Sequence, residues 1–178
     1  MKLLRTIRLD PSDTFIFPNA AEPGEWAVSG AFVFADTELG ALEGRDRAAF
    51  RAGFLGVGSF GWSTLVQIVE TDAAGHEAAV ALLAQGLSER FGAPDHAAAR
   101  AAAQEEIAFA ASLCNHPAGT LIAMHRTEED GAIHEAFRSL RPAAGSKTGR
   151  VFDFVEVEGE EEPGETVDLA ALARGETA

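Results

Sequence analysis

The chain has 178 residues, 47% of them hydrophobic and 24% charged, with a net charge of −14. That length and balance fit one globular domain with a real core, and exclude a disordered or fibrous chain. So acidic a chain repels phosphate backbones and anionic lipid, so neither nucleic acid nor a membrane surface is expected as a partner.

The charge is uneven. Residues 151–178 hold 9 acids and one base, while residues 1–150 hold 19 acids and 13 bases. The single Cys114 allows no internal disulfide and fits a reducing, cytoplasmic setting. The opening MKLLRTIRLD has no apolar core and no cleavage signature of a signal peptide. No apolar run reaches the roughly 18 residues of a membrane-spanning helix.

In chain order, residues 2–9 read as a first strand with Leu3, Ile7 and Leu9 on one side. Asp10-Pro11-Ser12-Asp13 is turn chemistry. Phe15 and Phe17 alternate as a short strand that Pro18 ends. Residues 26–35 alternate strictly and predict a longer strand, with Trp26, Val28, Gly30, Phe32 and Phe34 on one face. Residues 45–52 read as a short helix and residues 62–70 as a central strand with both faces partly apolar.

The middle is helical. Thr71 or Asp72 caps a helix over about 73–91, striped by Val80, Leu83, Leu87 and Phe91. Gly92 and Pro94 end it. Asp95 caps a second helix over about 96–114, whose Ala99, Ala103, Ile107, Ala110 and Cys114 make a small-sided face suited to close packing. Residues 120–140 form a hairpin around the turn signal EEDG, and residues 151–157 a last strand. The order of strands, two consecutive helices, then strands predicts an α+β fold: a mostly antiparallel sheet with both helices on one face. Residues 1–158 make that domain, and 159–178 an acidic, loosely held tail.

Within GFLGVGSFGWSTLVQIVE, Gly56, Gly58 and Gly61 spell G-x-G-x-x-G. A dinucleotide turn needs a strand before it, a helix after it and an acid about 20 residues on. Here a helix reads before and a strand after, and the acid is missing. The expected role is a glycine-rich entry into a strand, leaving room for Trp26 or Trp62 to pack, with a ligand groove along Gly56–Trp62 as the functional alternative.

Three further clusters carry candidate chemistry. If the hairpin loop is the four residues 128–131, His125 lies directly opposite His134, where two imidazoles could hold a metal or shuttle a proton; a one-residue change of register separates them, and zinc sites take three or four ligands. A helix C-terminus raises a thiol's pKa, so Cys114 near His116 reads as a small buried hydrophobe rather than a nucleophile. Glu105 and Glu106 are about 100° apart on their helix, so they form no catalytic pair; one is solvated and the other pairs with an arginine of the sheet. No cofactor motif is spelled, and no cofactor is expected. Phe15, Phe17, Phe32, Phe34, Phe60 and Trp62 are expected to build the sheet's covered face, and any left exposed would mark a partner surface or dimer interface.

KLLRTIRLDPSDTFIF, EPGEWAVSGAF and EEDGAIHEAFRSLRP together resemble a family of short bacterial proteins of unknown function, over nearly the whole chain. The resemblance implies no activity and no site residues. Such chains are loosely associated with molybdenum-cofactor assembly, but the glycine-rich, basic N-terminal motif of that pathway's nucleotidyl-transfer enzymes is absent. The leading expectation is therefore an accessory protein acting through a protein partner or self-association. The alternatives are an enzyme using the Gly56–Trp62 groove with His125 and His134, and dinucleotide binding at Gly56–Gly61.

Overall fold

β1 (Lys2–Ile7) pairs with β2 (Trp26–Val28) on one side and β5 (Leu65–Glu70) on the other, both antiparallel. The computed structural model describes residues 1–140 in full, and residues 141 and 156–158 as backbone pairing. β3 (Phe54–Gly56) and β4 (Trp62–Ser63) extend the sheet beyond β2. β6 (Leu121–Glu129), β7 (Ala132–Arg141) and β8 (Glu156–Glu158) extend it beyond β5. The strand order is β4-β3-β2-β1-β5-β6-β7-β8, with every neighbouring pair antiparallel.

Two long helices complete an α+β fold. α3 (Ala73–Phe91) starts at Asp72, whose carboxylate accepts the Gly75 N–H at 2.8 Å, and ends at Gly92 with φ +64°. α4 (His96–Ser112) starts the same way, with Asp95 accepting the Ala98 N–H. α4 lies against β1 and β2, and α3 packs along α4. The small-sided face is buried as expected: Ala99, Ala103, Ile107, Ala110 and Cys114 all lie in the core. Beneath it are the inner-face side chains Leu4, Val66, Ile68, Ile122 and Met124. Phe109 of α4 meets Phe137 of β7 edge-on at 5.8 Å.

Three expected elements differ. Residues 12–16 form a helix, α1 (Ser12–Ile16), rather than a strand. Asp10 accepts the Ser12 N–H, and buried Asp13 accepts the Thr64 hydroxyl and N–H; these side-chain bonds turn the chain there. Phe17 is consequently buried while Phe15 points outward, 68% exposed.

The strand expected over 26–35 stops at Val28. Gly30 takes φ +78°, and a 3₁₀ turn over Ala31–Phe34 follows. A Cβ on Gly30 would lie 2.6 Å from Leu55 Cβ, so close approach, not strand propensity, decides this position. The strand expected over 62–70 breaks at Thr64 into β4 and β5. α2 (Gly44–Ala52) forms where expected. The last strand is Glu156–Glu158; residues 151–155 and the tail 159–178 lie outside the described residues.

Candidate functional site

The glycine stretch follows β3, so a strand precedes it as well as the helix α2, and a further strand, β4, follows it. The turn closes on an anion belonging to the chain itself. Glu25 Oε2 accepts the N–H groups of Gly58 at 2.9 Å and Ser59 at 2.8 Å, and Oε1 accepts the Glu22 N–H at 2.7 Å. Successive N–H groups pointing into one concavity make an anion nest. Here a side-chain carboxylate fills it.

The glycines fit this arrangement sterically. A Cβ on Gly56 would lie 2.8 Å from Glu25 Oε2 and from Ala21 Cβ. One on Gly61 would lie 2.5 Å from the Ala20 carbonyl carbon, where the chain runs beside β4.

Trp62 is buried, but Gly30 and Gly53 make room for it rather than Gly56, Gly58 or Gly61. Phe34 stacks on its ring at 5.3 Å. Trp26 lies under the Arg5 guanidinium, 3.8 Å from its ring centre. The two tryptophans therefore serve separate contacts on either side of β2.

His125 and His134 are not opposite. Asp130 (φ +52°) and Gly131 (φ +78°) form a two-residue turn, so Glu129 pairs with Ala132. Asp-Gly favours this turn because both central residues must take positive φ. His125 then faces Ala136, and His134 faces Thr127. The imidazoles are diagonal neighbours on the same exposed strand face. Among the described residues, no group of three or more His, Cys, Asp or Glu side chains is placed to hold a metal.

Cys114 is buried, and burial pushes its thiol up to about 11, with Lys2 opposing. It is a poor nucleophile.

The corrected register sets Arg126 opposite Glu135. Arg126 is fully buried, and its Nε donates to Glu135 Oε1 at 2.9 Å. Its other nitrogens donate to the carbonyls of Phe50 at 2.5 Å and Ser29 at 2.7 Å. The Ser29 hydroxyl donates to the same Glu135 oxygen. Arg126 thus ties the end of α2 and the end of β2 to the hairpin. Burial lowers its pKa and the Glu135 charge opposes that.

Glu105 is solvated as expected. Glu106 senses Arg126, but the guanidinium bonds Glu135 instead. Burial first, then the charges of Glu135 and Glu105, push the Glu106 carboxyl up to about 7. The buried Arg126 guanidinium holds elements together, and each of its nitrogens already donates within the chain.

The sheet's other face is buried over β2–β4, at Val28, Leu55 and Trp62, but among the described residues it is open over β5, β6 and β7. Its rows follow from the register: Leu3–Val69; Arg5–Gln67–Leu121–Leu140; Ile7–Leu65–Ala123–Arg138; His125–Ala136; Thr127–His134. Apart from Leu3, all are half-buried or exposed. Beside this face, Leu9 and Phe15 are each 68% exposed and Ile16 is 42% exposed. A groove of about 250 Å³ runs there, lined by Ile7, Leu9 and Leu65 and by the polar Asp10, Ser12, Asp13 and Thr64. No helix among the described residues is long and apolar enough to cross a membrane.

These features define an α+β protein with helices packed on one face of its sheet and, among the described residues, the other face open over β5, β6 and β7. The chain belongs to the family of unknown function DUF6505, which it matches over residues 1–152. No curated protein and no solved structure matches it.

Proposed function

We propose that the protein is a non-catalytic accessory protein that binds a protein partner on the open sheet face and the adjoining α1 corner. One observation carries this reading: Leu9, which lines the groove with Ile7 and Leu65, and Phe15 on α1 both stand two-thirds exposed. A side chain as large as Phe gains about 1.5–3 kcal/mol from burial, so leaving it in water beside other apolar groups favours association. The net charge of −14 on each copy weighs against self-association and favours a different partner. The free thiol of Cys114 supports a reducing, cytoplasmic setting.

The glycine turn and the buried arginine are committed internally: the Gly58 and Ser59 N–H groups to Glu25, and Arg126 to Glu135 and backbone carbonyls. The test uses tagged protein purified from its host. Wild type is expected to retain a discrete partner in stoichiometric amount. A folded Leu9→Asp/Phe15→Asp variant is expected to lose it. Equal retention by that variant would contradict the reading.

A further inference from the structure

Resting on that binding reading, we infer that the partner presents an acidic, leucine-bearing helical segment to the open face. The placement of charge carries the inference. The chain has 28 acids against 14 lysines and arginines, yet the outer-face rows hold Arg5 and Arg138, with the polar His125 and His134, and no carboxylate before Glu129 at the hairpin tip; the adjoining groove adds Asp10. The carboxylates Glu135 and Glu106 belong to the inner side, at Arg126. Arg138 is exposed and has no ion-pair partner among the described residues.

The two characters are laid out as bands. Leu65 lies in the row nearest α1, and Leu121 and Leu140 pair in the next row away from it; all three are half-buried. Arg138 flanks them, and His125 and His134 continue from it toward the hairpin tip. An amphipathic helix with leucines on one stripe and glutamates beside it matches both bands at once. A nucleic acid fits less well. Stacking platforms need several free aromatic faces; Trp26, paired with Arg5, lies under its guanidinium, and Phe15 stands alone on α1.

The probe is a fluorescein-labelled synthetic peptide of about 20 residues, long enough to be helical, with leucines at i, i+3, i+4 and i+7 and glutamates between them. Anisotropy with the full chain is expected to show saturable binding. Arg138→Glu/His134→Glu changes only exposed side chains and is expected to weaken binding about tenfold or more, as is high salt. A lysine-for-glutamate version of the peptide is expected not to bind. Absence of saturable binding overturns the inference. So does binding that is indifferent to the charge reversal, or equal binding of the lysine peptide or of an oligothymidylate. If any of these occurs while Leu9→Asp/Phe15→Asp still abolishes retention of the native partner, the acidic segment falls and the binding reading stands.

Discussion

The Glu25 carboxylate accepts the Ser59 backbone N–H at 2.8 Å across 34 residues of chain. This contact fixes the meaning of the glycine stretch. The N–H groups that a phosphate would need in a G-x-G-x-x-G turn are satisfied by the chain's own anion. The strand that precedes the turn meets one requirement of nucleotide binding, but no helix N-terminus follows it.

Glu25→Ala empties the nest and leaves the Glu22, Gly58 and Ser59 N–H groups without their acceptor. The expected loss is about 1–3 kcal/mol of stability, read as a lower denaturant midpoint at unchanged slope. Glu25→Gln is expected to lose less, because one amide oxygen still accepts. An unchanged midpoint for the alanine variant would show that the nest contributes nothing. Wild-type tryptophan fluorescence is expected not to respond to NAD or ATP.

Glu106 makes stability depend on pH in an unusual direction for a carboxylate. Its folded pKa is raised to about 7 from an ordinary 4.5, so the unfolded state releases this proton first. The favourable contribution of the protonated form is complete below about pH 4.5 and disappears as pH rises through about 7. Glu106→Gln removes that dependence. At pH 8 the variant is expected to be more stable than wild type by about 1–2 kcal/mol, after discounting for the carboxyl's partial exposure. At pH 4.5 the difference is expected to be small. A variant less stable than wild type at pH 8 would contradict this account.

Much of the fold was legible because local signals agreed. Asp72 and Asp95 cap as short acceptors do, and the face from Ala99 to Cys114 is buried along its length. The failures share a cause: tertiary contacts overrode local pattern. Gly30 interrupts a period-2 run because Leu55 and Trp62 leave no room for a Cβ. Phe15 and Phe17 alternate like a strand but sit in a turn of helix that Asp13 anchors to Thr64. The hairpin register was readable from Asp130-Gly131, and reading it would have placed Arg126 opposite Glu135. The Glu25 nest was not readable, since nothing local links Glu25 to residues more than 30 positions away. The open face needed the register of four strands at once.

The central claim is that the open sheet face carries the protein's partner. Site-specific photo-crosslinking in the host tests it most directly. The crosslinker is placed at exposed Ala136, beside His125 on that face, and at exposed Ser88 on α3 as a control. A discrete protein adduct from position 136 and none from position 88 is the result expected here. Adducts of equal yield from both positions, or none from position 136, would contradict it.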